Sequence, residues 1–149
     1  MTARGPAGHR SGMTTRFTVE QANQMLPLVR RIVDDIVGGY ERWEALVRDF
    51  EVAAARSRAD APDPDAEALQ AEAMRVAADI DACRAELESL GVECKAFDTG
   101  LVDFPSAIDG RDVYLCWQRG EPRVGHWHER DAGFAGRRPL QSASISSPS

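Results

Sequence analysis

The chain has 149 residues and a net charge of -6, from 18 Lys and Arg against 24 Asp and Glu. Hydrophobic residues make up 43% and charged residues 28%, which suits a globular domain with a core large enough to fold without staples. No apolar run is long enough to span a bilayer, and residues 17–90 alone carry a net of -8, so neither a membrane nor nucleic acid is expected as a partner.

Residues 1–16 include MTARGPAGHRSGMTT, which has no apolar core of the secretory type and reads as a disordered extension. A single domain is expected over 17–140, helical over 17–90 and β-rich over 91–140. At its start, Thr18 and Gln21 have capping-box spacing. A short helix through about Met25 is predicted. Pro27 lacks a backbone N–H and is expected to begin a new helix or kink the old one. Val29, Val33, Ile36, Tyr40, Trp43, Val47 and Phe50 then recur in steps of four and three, one apolar seam on a helix. Gly38 and Gly39 interrupt it, either for close approach of another helix or as a tolerated weak point.

The segment RSRADAPDP, from Arg56 to Pro64, reads as a turn, with Asp63 as N-cap and Pro64 as first helical residue. A second seam runs through Ala66, Leu69, Ala73, Val76, Ile80, Cys83, Leu87 and Leu90, and Gly91 ends it. Two long helices joined by a short turn should pack antiparallel.

Past Gly91 the period changes. Val92 to Ala96 and Leu101 to Phe104 read as short strands, the second ended by Pro105. Asp109-Gly110 is a hairpin turn signal. Val113, Leu115 and Trp117 alternate with Tyr114, Cys116 and Gln118 as a strand, and Gly120-Glu121-Pro122 turns into a last one, Arg123 to His128. Residues 141–149 are Ser-rich and expected to be a disordered tail. The fold class is therefore α+β, a long antiparallel two-helix hairpin followed by a small antiparallel β-sheet.

The chemically special residues gather after Thr99. His126 and His128 share one strand face and Trp127 takes the other. Two imidazoles on one face can reach a common ion, and Cys116, Asp103 and Glu129 could complete a metal set. The competing reading is a wet strand face beside structural tryptophans. Glu121, Glu129, Asp103 and His128 could alternatively form an acid/base group, or simply pair with Arg119, Arg123, Arg130 or Arg137. Cys116 between Leu115 and Trp117 suits a small buried residue better than a nucleophile. Cys83, Cys94 and Cys116 are an odd, sparse set that fits a reducing cytoplasm.

The segments FTVEQANQMLP, GVECKAFDTGLVDFP and YLCWQRGEPRVGHWHERDAGFAGRRPL resemble the bacterial family called domain of unknown function 2203, over about Phe17 to Leu140. That family has no assigned activity, substrate or cofactor, so the resemblance brings no catalytic residue with it. It implies a pattern that includes Lys95, Asp103, Cys116, Glu121, Trp127, His128 and Arg137. Other members often carry an aromatic residue where this chain has His126, which moves the preferred site to Asp103, Glu121, His128 and Arg137. A bidentate Asp103–Arg137 pair is expected to close it. The expectation is a cytoplasmic small-ligand or metal-binding module on the sheet, with Trp127 at the ligand site and a divalent metal as the candidate cofactor. The alternative is a non-enzymatic scaffold that oligomerises through its hairpin. A small acid/base enzyme ranks below both. A homo-oligomer, most simply a dimer, is expected because two helices alone leave apolar flanks open.

Overall fold

In the computed structural model, residues 16–57, 60, 61 and 63–140 are described. The expected disorder of residues 1–15 and 141–149 lies outside them. Arg16, assigned by sequence to the extension, pairs with Asp112 at 2.5 Å.

Helix α1 runs Val19–Arg56 and α2 runs Pro64–Ser89. They form the antiparallel hairpin that the two seams predict. Thr18 accepts from the Gln21 N–H while the Gln21 side chain accepts from the Thr18 N–H, a complete capping box. Asp63 caps α2 by accepting from the Asp65 N–H, with Pro64 in the first turn. Gly91, at φ 86°, terminates α2. Its N–H bonds the Glu88 carbonyl and the Val92 N–H bonds the Leu87 carbonyl, so the last turn is closed in a Schellman motif.

The predicted break at Pro27 does not occur: α1 is one helix of 38 residues, about 57 Å at 1.5 Å per residue. Pro27 lies on the exposed side, where the Asn23 carbonyl it leaves unbonded can take water. Its neighbours Leu26, Val29, Ile32 and Val33 are buried in the core and hold the helix through the defect.

The sheet has five antiparallel strands in sequence order: β1 Glu93–Ala96, β2 Leu101–Ile108, β3 Arg111–Gln118, β4 His126–Glu129 and β5 Arg138–Pro139. β2 continues through Pro105, where the sequence suggested an end. In a strand a residue's N–H and C=O point the same way. The Pro105 carbonyl accepts from Phe17 N–H at 2.7 Å, so its missing N–H faces that side and costs β3 nothing. Asp109 and Gly110, at φ 52° and 79°, make the predicted β2–β3 turn. The last major strand is shorter than expected, because Arg123 to Gly125 precede it as loop.

One sheet face packs on the helices. Val102, Phe104, Val113, Leu115, Trp117 and Trp127 join Leu26, Val29, Val33, Ile36, Ile80 and Leu87 in one core. Asn23 fastens α1 to the sheet end by bonding both the N–H (2.8 Å) and the C=O (3.3 Å) of Val124. The opposite, outer face carries the polar residues.

Candidate metal site

Alternation along the strands decides what reaches the outer face. Across the sheet, Asp103 on β2 lies opposite Cys116 on β3, which lies opposite His126 on β4. In the adjacent row Pro105, Tyr114 and His128 are aligned in the same way. The sequence separates these residues by up to 25 positions, and three adjacent strands bring them together.

Asp103, Cys116 and His128 form the centre. Their side-chain donor atoms all lie within 4.8 Å of one another, and all three residues are buried, at 1%, 0% and 2% exposure. His128 Nε2 stands 3.0 and 3.1 Å from the two Asp103 carboxylate oxygens. His128 Nδ1 stands 2.6 Å from the Glu129 main-chain oxygen. A carbonyl oxygen can only accept, so Nδ1 carries a proton and Nε2 is the nitrogen turned toward Asp103. The cluster thus offers one nitrogen, one thiol sulfur and a carboxylate, the donors that a divalent transition metal takes.

A second layer surrounds it. The β1–β2 register slips between Cys94 and Ala96, and this bulge carries Lys95. Its ammonium lies 3.3 Å from Asp103 Oδ2 and 3.4 Å from Glu93. Burial disfavours the Lys95 charge, but Asp103, Tyr114 and Glu93 together outweigh it and the pKa is raised. Tyr114 Oη donates to Glu93, while Lys95 and Arg130 lie 4.2 and 4.3 Å from the Tyr114 ring centroid. The His128 ring packs on the same tyrosine at 5.5 Å.

Cys116 is not an activated nucleophile. Burial, followed by the Asp103 charge, pushes its thiol up to about 12, the reverse of what a thiolate attack needs.

The other expected site residues take different places. Arg137 does not reach Asp103. Its Nη2 bonds both oxygens of Glu121 at 2.8 Å. The expected Asp103–Arg137 pair is therefore replaced by Asp103 with His128 and Lys95, and by Glu121 with Arg137. Glu121 also accepts from the Gln118 N–H and its carbonyl from Trp117 Nε1, so it pins the β3–β4 connection. Burial raises its pKa, but hydrogen bonds from Arg137 and from the Gln118 N–H dominate and hold the carboxyl below its usual range.

Glu129 is not a candidate ligand by its side chain, which pairs with Arg111 at 2.6 Å. Its contribution is the carbonyl that orients His128. Trp127 is on the helix-facing side, in the core, so it cannot line a site on the outer face. His126 does share the outer face, opposite Cys116, but stays outside the close trio. The residues that sequence reasoning passed over are Tyr114 and, as a site member, Lys95. A lysine inside a strand between Cys94 and Ala96 was the available signal.

No helix of the described residues is long and apolar enough to cross a membrane. Over residues 15–140 the chain matches a family model described as Uncharacterized conserved protein (DUF2203). Neither the curated proteins nor the solved structures contain a match to it.

Proposed function

The chain belongs to the DUF2203 family, and since that membership supplies no activity, we propose from the site itself that the protein is a metal-binding module holding one divalent ion between Asp103, Cys116 and His128. One observation carries this reading. With Nδ1 committed to the Glu129 carbonyl, Nε2 is the nitrogen that faces a buried carboxylate. An Nε2 lone pair and a carboxylate oxygen 3.0 Å apart call for a cation between them, either a proton or a metal ion. Cys116 beside them is what favours the metal: its sulfur supplies a third, soft ligand next to the nitrogen and the carboxylate. The backbone acceptor on the far ring nitrogen is the outer support that metal-bound histidines commonly have.

The donor set fits zinc best, with iron(II) and cobalt(II) as close competitors. Three protein ligands leave a further coordination position for water or a ligand. Binding through Cys116 displaces the thiol proton, so affinity should rise with pH.

Protein purified without a histidine tag tests the reading by elemental analysis. About one equivalent of metal per chain is expected. His128→Ala and Cys116→Ser should each lose most of it. Wild-type chain that carries no metal and gains no stability from added zinc, manganese or iron would sink the proposal.

A further inference from the structure

Beside the trio lie two buried nitrogens with no hydrogen-bond partner among the described residues: His126 Nδ1 and Arg137 Nε. They belong together. His126 faces Cys116 across β3–β4, and Pro139 pairs with His126 across β4–β5. Arg137 is two residues before Pro139, which puts its side chain on the same face, and its charge acts on both Cys116 and Glu121. Only 11% of the Arg137 side chain is exposed, and Glu121 occupies Nη2 alone of its nitrogens, holding the guanidinium still. A buried N–H left without an acceptor is costly, because it has lost its water and gained nothing in return. With the proton on His126 Nδ1, two such donors, on an arginine held by Glu121 and on a strand histidine near the same carboxylate, mark a place built for an oxygen that the chain does not supply.

The charges indicate which oxygen. Lys95, Arg130 and Arg137 stand among Glu93, Asp103 and Glu121, three cations against three carboxylates. A divalent ion would add two positive charges and the Cys116 thiolate would cancel one. A single negative charge is then missing, and at the buried end of this set, Asp103 and Cys116 with Arg137 at 11% exposure, uncompensated charge is costly. We infer that Arg137 Nε–H and His126 Nδ1–H hold a monoanionic carboxylate next to the metal, so that the module's ligand is a carboxylic acid. This inference rests on the metal reading and specifies the ligand that goes with it.

The test uses the full chain loaded with cobalt(II), whose visible absorption reports its ligand environment, titrated with sodium acetate at constant ionic strength. Wild type should show a saturable spectral change. His126→Phe and Arg137→Lys should take up cobalt as wild type does but bind acetate roughly tenfold or more weakly, the loss expected of one charge-assisted hydrogen bond. Inorganic phosphate, mostly dianionic at mildly alkaline pH, should bind more weakly than acetate. An unchanged wild-type spectrum overturns the subsite while leaving the metal site standing. So does acetate binding by His126→Phe at wild-type strength, and tighter binding of phosphate overturns the carboxylate assignment. Failure of the metal reading looks different, since no cobalt would bind. Acetate would then be titrated into metal-free protein while the His126 ring is followed by NMR. A shift of that ring would retain the subsite without its metal, and none would discard both.

Discussion

Asp103 shows how one residue's environment sets its role. A carboxylate between Val102 and Phe104 has to be paired if it is buried, and it is 1% exposed. The partner is Lys95 on one oxygen and His128 across both. Asp103→Asn should cost on the order of 3 kcal/mol, because it leaves a lysine and a histidine facing a neutral amide. Denaturant unfolding measures this. A double-mutant cycle should find coupling between Asp103→Asn and Lys95→Met, and none between Asp103→Asn and Arg137→Ala. The first coupling should be modest, about 1 kcal/mol, since Lys95 is 37% exposed and water screens it. Two titrations shape the pH profile of the metal-free chain. Glu121 has a lowered pKa, so its contribution is present above the ordinary 4.5 and is lost as pH falls through the folded value. Glu121→Gln should therefore flatten the acid limb of stability. Cys116 keeps in the folded state a proton that the unfolded chain releases above 9.0. Its contribution is full below 9.0 and declines as pH rises toward about 12. Cys116→Ala should flatten the alkaline limb, and a profile with both limbs unchanged would contradict the hydrogen bonds that hold Glu121 and the burial of Cys116.

Among the elements, the hairpin separates two adjacent glycines that look alike in the sequence. A Cβ on Gly39 would sit 3.0 Å from Ile80 Cγ1, so α2 packs closely over this glycine. A Cβ on Gly38 would meet nothing within 4 Å. Gly38→Ala should raise stability by roughly 1 kcal/mol through helix propensity alone. Gly39→Ala should gain less or lose stability, because Ile80 must give way. Equal melting shifts for the two variants would mean that the helices do not meet there. One exposed ion pair crosses the same interface, Arg42 on Glu72, which Arg75 also meets from its own helix, and surface pairs of this kind contribute little. The β1 bulge has the larger consequence, since it re-aims one lysine at the centre of the site.

For the whole molecule, the sheet covers only part of α1. Val29, Val33 and Ile36 are buried, while Tyr40, Trp43, Val47 and Phe50 are only half-buried. Val52 and Met74 are 61% and 66% exposed on the same hairpin. A second copy packing there would give the expected dimer, and this is proposed from the sequence pattern together with that exposure. Light scattering across a wide concentration range should return twice the monomer mass; a monomer mass throughout would retire the idea. The proposed metal site is a property of the whole fold too, because its three residues come from three strands. Saturating zinc, at about a hundred times its dissociation constant, should stabilise the chain by about 2.7 kcal/mol. His128→Ala should abolish that gain in a thermal melt.

The sequence by itself determined the hairpin, its caps and stops, the Asp109-Gly110 turn and the two-sided character of β3. All of these depend on periods of 3.6 and 2 or on local hydrogen bonds within a few residues. It also named all three members of the trio, which lie after Thr99, though not, as a site member, Lys95 beside them. Tertiary structure alone decided which of the candidates meet. Sequence alternation sends His126 and His128 to one face but cannot say which row of the sheet each occupies. Register does that, placing His128 within reach of Asp103 and Cys116 and sending the Glu129 side chain to Arg111. Pairing by charge was equally open, since seven Lys and Arg residues lie between residues 91 and 149. The bulge gave Asp103 its lysine, and the β4–β5 pairing brought Arg137 to Glu121. Local rules carry an element's start, stop and face, whereas the partner of a buried charge depends on strands that come together only after the chain has folded.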